Sequence, residues 1–350
     1  MRDLPALIKH VGRGARLAKD LPRDEARAMM RALLTGEADP VQTGGFLIAM
    51  RMKSESPEEL AGFVEAMREA AAPVDWPAAD PAHPLVDVDL HGDGRAGRPS
   101  VTLAAACLVA ATTGARVLVR GSFGGRFARH DLDEVFAALG VDAHAPPARV
   151  ARCLSEAGVG VLDLAAWQPD AAALLGLRER LGVRTCVNTA VKLLDPAGAR
   201  RVAVGIFHGP YHAPVAGAVR ALGVVRAAVV QAPGGVPELS PDKPTRVSLV
   251  DEAAAGSADP FVFEGVADAT PPQVESAAEL AGLLEHVLHA PDDAPPGAVR
   301  MTLTTAALYA WLAGVAAAPQ DATMLARLHD ALRSGRAAAT LRTLRACCTG

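Results

Sequence analysis

Two glycine-rich segments of this chain contain residue types that suit anion binding. The first, HGDGRAGRPS (residues 91–100), joins the alternating stretch LVDVDL to the small-residue run VTLAAACLVAATTG, so a strand, a glycine turn and a helix follow one another. Such a turn presents backbone N–H groups and the positive end of a helix dipole to a phosphate. Gly92, Gly94 and Arg95 are therefore candidate ligand-binding residues. The segment matches neither the Walker pattern nor G-x-G-x-x-G, so an ordinary surface turn is the open alternative.

The second segment, RGSFGGRFARHD (residues 120–131), follows the next predicted strand and carries several cationic side chains before its first acid. Neighbouring parallel strands end at one edge of a sheet, so we expect both glycine segments to border one crevice. The candidate ligand-binding residues here are Gly121, Ser122, Arg126 and Arg129. The alternative is a solvated turn whose arginines pair with Asp131, Asp133 or Glu134.

Other candidate polar residues lie further along the chain. Arg178, in the segment RERLGVRT, can bind a carboxylate or phosphate bidentately. Glu238 is the only acid in the turn GGVPELS, and one carboxylate is a poor Mg²⁺ site, so a solvated turn residue is the stronger interpretation. His208 and His212 flank the residues GPY, and without a nucleophile motif such as G-x-S-x-G we interpret them as structural.

The composition narrows the function class. The chain has 350 residues, half of them hydrophobic, which is enough for a large core spread over two or three domain-sized units. A net charge of -4 and 4% aromatic residues argue against a generally basic nucleic-acid-binding domain, so contact with nucleic acid requires a local patch. The five cysteines form no CxxC pair, which indicates neither a zinc site nor a disulfide framework. The sequence shows no signal peptide and no apolar run of about eighteen residues, so the expectation is a cytoplasmic protein without membrane contact.

The elements that must position the candidate residues begin with a helical block. Residues 1–72 carry helical patterns only, which predicts an all-helical domain whose exposed apolar faces meet each other or a second subunit. Asp20 is predicted to cap one of these helices. Ser56 and Glu59 have the spacing of a capping box at the start of another.

A Pro- and Ala-rich linker at residues 73–84 separates this block from residues 85–350. In the latter, short Val-rich runs alternate with helical patterns, which predicts an α/β domain with a mainly parallel central sheet. Residues 168–185 form a helical segment long enough to pack away from the sheet, on the helical domain. The strand candidates are LVDVDL, ARVLVRG, VGVLDL, RVAVGIF, RAAVVQAP and RVSLVDE.

The chain also resembles a known family over nearly its whole length. The segments GGFLIAMRMKSESPEELAGFVEAM, VTLAAACLVAATTGARVLVRG, LGVD, LRERLGVRT, LLDPA and SGRAAATL have the order and spacing seen in anthranilate phosphoribosyltransferase and its relatives, glycosyltransferase family 3. The resemblance implies a fold of the nucleoside phosphorylase and phosphoribosyltransferase type, with a homodimer interface on the helical domain and a site in the interdomain cleft. Enzymes of this family transfer phosphoribose from phosphoribosyl pyrophosphate (PRPP) to anthranilate with Mg²⁺, which implies a phosphoribosyl or nucleotide-like anionic ligand.

The phosphate-binding motifs of the family are only partly present. The family sequence G-T-G-G-D-G, followed by N-I-S-T, corresponds to HGDGRAG and VTLA, with Val101 and Leu103 in place of the helix-start Asn and Ser. The family sequence K-H-G-N-R corresponds to VRGSFGG, which keeps Gly121 but has Ser122 and Phe123 in place of Asn and Arg. Fewer polar side chains therefore remain for a diphosphate.

The metal and acceptor motifs differ in how far they are retained. The family's metal-binding D-E pair corresponds to Pro237 and Glu238, so one ligand is missing. Arg178 stands at the position of the acceptor-binding arginine, and the R-T-x-x-N core is complete at Arg184, Thr185 and Asn188. Charge-stabilising contacts are worth roughly a hundredfold each, so the resemblance implies a standard transfer reaction that is orders of magnitude slower.

Three hypotheses about function follow. The first is a dimeric protein whose cleft binds a phosphoribosyl, nucleotide-like or other anionic ligand, with altered or absent transfer chemistry. The second is a non-catalytic nucleic-acid-binding protein, because IKHVGRGARLAKDLPRDEARAMMRALLTGE resembles the YbiB-type branch of the family. The third is a working transferase with another acceptor. The basic clusters that motivate the second are Arg2, Lys9, Arg13, Arg16 and Lys19, and Arg336, Arg342 and Arg345.

Overall fold

The protein has an N-terminal helical domain followed by a larger α/β domain, as the sequence predicts. The structure, a computed structural model, describes residues 3–14, 17–78, 80–92, 98–123, 132–252 and 260–349. The helical domain consists of α1 (Leu4–Val11), α2 (Arg23–Leu34), α3 (Pro40–Lys53) and α4 (Pro57–Ala70).

Helix α4 begins at the predicted capping box. The Ser56 hydroxyl accepts a hydrogen bond from the Glu59 N–H (3.2 Å), and Glu59 Oε2 accepts one from the Ser56 N–H (2.8 Å). This reciprocal pair satisfies two backbone donors that the helix itself leaves unbonded. The predicted apolar face is fully buried and consists of Leu60, Phe63, Val64 and Met67.

The predicted cap of α2 is wrong. The helix begins at Arg23 with Pro22 in the N-cap position, so Asp20 lies too far before the first turn to bond its N–H groups. Asp20 instead accepts a hydrogen bond from Lys53 Nζ (2.5 Å), which also bonds Glu59 (2.7 Å). Asp20 therefore links two segments of the helical domain rather than starting a helix.

The α/β domain contains a seven-stranded sheet with the order β3-β2-β1-β4-β5-β6-β7. Strands β1 to β5 are parallel, whereas β6 and β7 pair antiparallel, so the prediction of a mainly parallel sheet is confirmed. All six predicted strands exist, and the three-residue β7 was not predicted. The strands are β1 (Leu85–Asp89), β2 (Arg116–Gly121), β3 (Val159–Asp163), β4 (Arg201–Ile206), β5 (Arg226–Gln231), β6 (Thr245–Asp251) and β7 (Phe261–Phe263).

The central strand β1 marks a reversal of strand order. The chain continues from β1 to β2 and β3 on one side, and β4 and β5 lie on the other side. In open parallel sheets such a reversal leaves a crevice outside the carboxyl ends of the two central strands, where ligands bind. Leu85 of β1 and Leu118 of β2 share one hydrophobic core with Phe46 and Phe63 of the helical domain, so this domain covers one face of the sheet.

The remaining helices cover both faces of the sheet. Gln168 Nε2, just before α9, donates a hydrogen bond to the Met67 carbonyl (3.2 Å), which attaches this segment to the helical domain. No helix of the described segments is long and apolar enough to cross a bilayer. The helices are α5 (Thr102–Thr113), α6 (Leu132–Ala138), α7 (Pro147–Glu156), α8 (Leu164–Trp167), α9 (Pro169–Leu181), α10 (Cys186–Ala190), α11 (His212–Ala221), α12 (Ala277–His289), α13 (Pro296–Leu312), α14 (Ala322–Arg333) and α15 (Arg336–Thr349).

Candidate functional site

A cavity of about 670 Å³ lies at the carboxyl ends of the central strands, where the strand order reverses. The segments after β1, β2, β4 and β5 contribute to its lining, together with α9, α10 and one residue of the helical domain, Arg51. The lining residues from the strand ends are His91, Gly92, Ser122, Gly205, Ile206, Phe207, His208, Pro233, Gly234 and Gly235. The crevice that the topology predicts is therefore present.

Two glycines allow the turn after β5 to lie against the central strands. A Cβ atom on Gly92 would stand 2.5 Å from the Gly234 carbonyl oxygen, and one on Gly205 would overlap the backbone of Gly235. Larger side chains would push the turn away from the strand ends. These glycines thus hold three strand ends within one crevice.

The cavity lining is strongly cationic. Arg51, Arg178, Arg184 and Lys192 line it, and Glu179 is the one acidic side chain among its described residues. Burial lowers the pKa of the Arg178 and Arg184 guanidinium groups, and the charge of Arg51 lowers that of Arg184 further. An anionic ligand relieves this repulsion, so the charge distribution favours anions.

The segment between α9 and α10 brings two of these arginines to the cavity. Helix α9 ends at Gly182, whose φ of 73° is the left-handed conformation that suits glycine at a helix C-terminus. After this turn, the Thr185 N–H donates a hydrogen bond to Asn188 Oδ1 (2.8 Å) at the start of α10. The R-T-x-x-N sequence therefore begins α10 and fixes the turn that carries Arg184.

The structure brings together part of the predicted ligand-binding set. Gly92, Ser122 and Arg178 line the same cavity, and Gly121 precedes Ser122 as the last residue of β2. Gly94 and Arg95 of the first glycine segment, and Arg126 and Arg129 of the second, lie outside the described residues.

Phe123, at the position of a family arginine, belongs to the hydrophobic core. Its ring is 8% exposed and packs edge-to-face on Phe136, with a centroid distance of 5.1 Å. The ring also lies against Gly121, where a Cβ atom would stand 2.6 Å from it. This position therefore contributes packing rather than a charged contact to a ligand.

Glu238 holds the start of helix α5, and its interpretation as a solvated turn residue is wrong. Its side chain is buried, and Oε1 accepts hydrogen bonds from Ser100 Oγ (2.6 Å), Thr102 N (3.1 Å) and Thr102 Oγ1 (2.5 Å). The carboxylate thus serves as a cap for the helix from a distant segment. The carbonyl of the preceding Pro237 accepts a hydrogen bond from Tyr309 (3.0 Å).

The described residues do not fit a Mg²⁺ site. Protein-bound Mg²⁺ usually takes one or two carboxylates beside substrate phosphates. Glu238 is absent from the cavity lining, and its Oε1 already has three donors. Within the described ranges, no group of three or more His, Cys, Asp or Glu residues is arranged to hold a metal ion.

The two histidines that flank GPY have different surroundings. His212 is buried and its Nδ1 shares a hydrogen bond with Ser248 Oγ (2.9 Å), in keeping with a structural role. His208 lines the cavity, and its ring packs edge-on against Phe207 at 4.8 Å. His208 is therefore placed to contact a ligand, which the sequence interpretation did not anticipate.

A buried charged cluster beneath the cavity was also not predicted. Arg120 Nε bonds both carboxylate oxygens of Asp87 (2.8 and 2.9 Å), and its terminal nitrogens bond the carbonyls of Val191 and Lys192 (both 2.6 Å). Lys192 in turn bonds Asp89 Oδ2 (3.0 Å). The available signal was the pair of acids within the otherwise apolar strand LVDVDL, because buried acids require partners.

The cluster keeps Asp89 ionised and His91 neutral. Burial opposes the charge on Asp89, but Lys192 and the hydrogen bond from His91 outweigh it and lower the pKa of this carboxyl to about 2. Burial lowers the pKa of His91, so its ring is neutral and Nδ1 donates to Asp89 (2.8 Å). Burial likewise lowers the pKa of Lys192, against the attraction of Asp89.

None of the described residues in the basic clusters proposed for nucleic acid lines this cavity. Arg345 donates hydrogen bonds to the Leu139 carbonyl and to Glu285, and Arg336 bonds Ser334 Oγ (3.3 Å). No described residue of α1 or α15 belongs to the cavity lining. Arg2 and Arg16 lie outside the described residues.

Comparison with known proteins gives matches over both domains. A family model described as a glycosyl transferase family helical bundle domain matches residues 5–71, and one described as the a/b domain of a glycosyl transferase family matches residues 85–338. The chain is 33% identical to an anthranilate phosphoribosyltransferase of Anaeromyxobacter dehalogenans over 98% of this chain and 99% of that protein. It is 38% identical to one of Halorhodospira halophila over 70% of each chain.

Solved structures show the same architecture. Anthranilate phosphoribosyltransferase from Thermus thermophilus superposes with a TM-score of 0.81 at 29% identity, covering 98% of this chain and 99% of the other. The enzyme from Saccharomyces cerevisiae, in complex with PRPP and Mg, gives a TM-score of 0.80 at 18% identity, covering 99% and 98% of the two chains.

Proposed function

Because the chain belongs to glycosyltransferase family 3, we propose that it binds a phosphoribosyl or other nucleotide-like anion in the cavity at the end of its central strands. The observation that carries the proposal is the cationic lining formed by Arg51, Arg178, Arg184 and Lys192 at that place. The yeast relative in complex with PRPP supports PRPP as the first ligand to test.

We propose that Arg178 binds the acidic group of an acceptor. The side chain is in the last turn of α9 and lines the cavity beside Arg184. A charge-assisted hydrogen bond contributes about 1.5–3 kcal/mol, so Arg178→Met is expected to weaken binding of an aromatic carboxylate such as anthranilate at least tenfold. Arg180→Met is the matched control, because Arg180 lies on the same helix outside the lining. Equal affinities of the two variants would contradict this role.

We propose further that transfer of phosphoribose to anthranilate is slow in this protein. Phe123 is buried in the core and carries no charge. Of Pro237 and Glu238, only Glu238 has a carboxylate, and its Oε1 accepts hydrogen bonds from Ser100 and Thr102 at the start of α5. Loss of such charge-stabilising groups costs roughly a hundredfold or more. Pyrophosphate release measured beside the Thermus thermophilus enzyme is therefore expected to be at least about a hundredfold slower. Equal rates would contradict the proposal, and rapid release with another aromatic amine would support the hypothesis of a different acceptor.

A homodimer is the proposed assembly. The side chains of Val41, Ile48 and Met52 are 84%, 38% and 70% exposed and recur on one face of α3. Positions seven and four residues apart share a helix face, so these side chains form an apolar stripe suited to a second copy.

A further inference from the structure

Lys192 is a cation held inside the cavity wall by three oxygens of the protein. It follows α10 in a short helical turn, and its side chain is 15% exposed while lining the cavity. Its Nζ donates hydrogen bonds to Asp89 Oδ2 (3.0 Å), to the Gly235 carbonyl (2.8 Å) and to the His91 carbonyl. The ammonium thus occupies a small cation site built from one carboxylate and two backbone carbonyls.

This ammonium joins the turn after β1 to the turn after β5. His91 belongs to the first turn and Gly235 to the second, and Gly92 and Gly234 bring the same turns into contact. A divalent cation at a phosphate site usually organises protein oxygens and neutralises phosphate charge. Lys192 already organises three protein oxygens, and its positive charge contributes to neutralising a phosphate.

The carboxylates at the strand ends are engaged in other contacts. Both carboxylate oxygens of Asp87 accept a hydrogen bond from Arg120 Nε. Asp89 accepts hydrogen bonds from Lys192 through Oδ2 and from His91 through Oδ1. Both aspartates are fully buried. A metal ion would therefore have to displace Arg120 or Lys192 from its carboxylate partner in a low-dielectric environment.

Glu179 is the remaining carboxylate in the described lining, where Arg51, Arg178 and Arg184 also lie, beside a Lys192 ammonium that is ion-paired with Asp89. One carboxylate attracts a divalent cation only weakly against the repulsion from the surrounding cations, and the same cations attract a free phosphate anion. The charge balance therefore favours the metal-free anion over its magnesium complex.

We propose that the cavity binds the diphosphate group of its ligand without a divalent cation, with the Lys192 ammonium as the built-in cation. This inference rests on the proposed function, since it concerns the same ligand site. It identifies the substrate form as the free phosphorylated anion. Because the three N–H groups of Lys192 already donate to protein oxygens, Lys192 acts on the ligand through its charge and by positioning the two turns, from outside the glycine motifs.

The test is calorimetric titration of inorganic pyrophosphate and PRPP into the full chain, once in excess EDTA and once with millimolar MgCl₂. The dissociation constant in EDTA is expected to be equal to, or lower than, the value with Mg²⁺. A dissociation constant at least about tenfold lower with Mg²⁺, equivalent to about 1.4 kcal/mol, would overturn the inference. Absence of binding in both buffers would overturn the proposed function together with it.

Variants separate the charge of Lys192 from its contribution to folding. Lys192→Met is expected to weaken binding of both anions in EDTA at least tenfold, whereas Lys192→Arg retains most of the affinity. Lys53→Met is the matched control, because Lys53 is a buried, ion-paired lysine of the helical domain outside the cavity lining. Unchanged affinity of Lys192→Met would overturn the inference, and thermal melts of both variants would show whether they fold. If Lys192→Met does not fold, the inference is still tested by comparing the dissociation constants of the unmodified chain in EDTA and in Mg²⁺.

Discussion

Asp89 and His91 form a buried pair at the end of the central strand. His91 Nδ1 donates to Asp89 Oδ1 (2.8 Å), and the opposite ring nitrogen, Nε2, has no hydrogen-bond partner among the described residues. Because burial lowers the pKa of His91, the folded protein keeps this ring neutral at pH values where the unfolded chain begins to bind a proton. The histidine thus couples folding to pH.

We predict that His91→Asn reduces the pH dependence of stability. The unfolded chain protonates His91 near pH 6.5, so its contribution to stability is complete above that pH and is lost as pH falls, by at most about 1.4 kcal/mol per unit. The asparagine amide retains a donor for Asp89 without this protonation. Urea unfolding between about pH 7.5 and pH 5.5 should therefore show a smaller loss of unfolding free energy in the variant.

The control for this prediction is His329→Asn, which replaces an exposed histidine on α14. It should retain the pH dependence of the unmodified chain. A profile of His91→Asn parallel to that of the unmodified chain would show that His91 does not carry the effect.

At the scale of elements, the site depends on how closely the turns after β1, β4 and β5 approach one another. The Gly92 and Gly205 positions have no space for a side chain, whereas Gly282, within α12, has no atom within 4 Å of an added Cβ. The two kinds of glycine therefore differ in physical role. The first permits close backbone contact, and the second only lowers helix propensity.

We predict opposite effects of two glycine-to-alanine changes. Gly92→Ala forces the turn after β5 to shift and is expected to cost about 1–3 kcal/mol and to weaken anion binding. Gly282→Ala is expected to stabilise the protein by up to about 1 kcal/mol without affecting the ligand. Denaturant unfolding and PRPP titration of both variants provide the measurement. A Gly92→Ala protein with unchanged affinity and stability would contradict the close approach.

The elements themselves were predictable to a large extent because their signals are local. The alternation in LVDVDL and the capping box at Ser56 each depend on residues a few positions apart, and both predictions are confirmed. The cap at Asp20 was wrong because the helix begins only at Arg23, with Pro22 in the N-cap position. The two acids in LVDVDL indicate that buried cationic partners exist, but the bond between Asp89 and Lys192 spans 103 residues, so no local periodicity identifies the partner and only the fold shows it.

At the scale of the whole molecule, the helical domain has two faces with different surroundings. One face shares a hydrophobic core with the sheet and contributes Arg51 to the cavity. The exposed stripe on α3 contains Val41 and Met52, which are more than two-thirds exposed. Exposed apolar side chains on one helix face favour association with another surface.

We predict that the double variant Val41→Glu and Met52→Glu is monomeric. Two carboxylates within an apolar interface would be desolvated without partners, at a cost of several kcal/mol. Sedimentation velocity should show a dimer for the unmodified chain and a monomer for the variant, with similar circular dichroism. Two glutamates on the exposed face of α1 or α2 away from α3 serve as the control. A monomeric unmodified chain would contradict the proposed assembly.

Binding of a phosphoribosyl anion in the cationic cavity at the strand ends is the function proposed for this protein. The most direct measurement is calorimetric titration of PRPP into the unmodified protein at low ionic strength, where charge interactions are least screened. We expect saturable heat with one site per chain and a dissociation constant below about 1 mM, equivalent to about -4 kcal/mol or better. No detectable binding at several millimolar PRPP, with or without Mg²⁺, would contradict it.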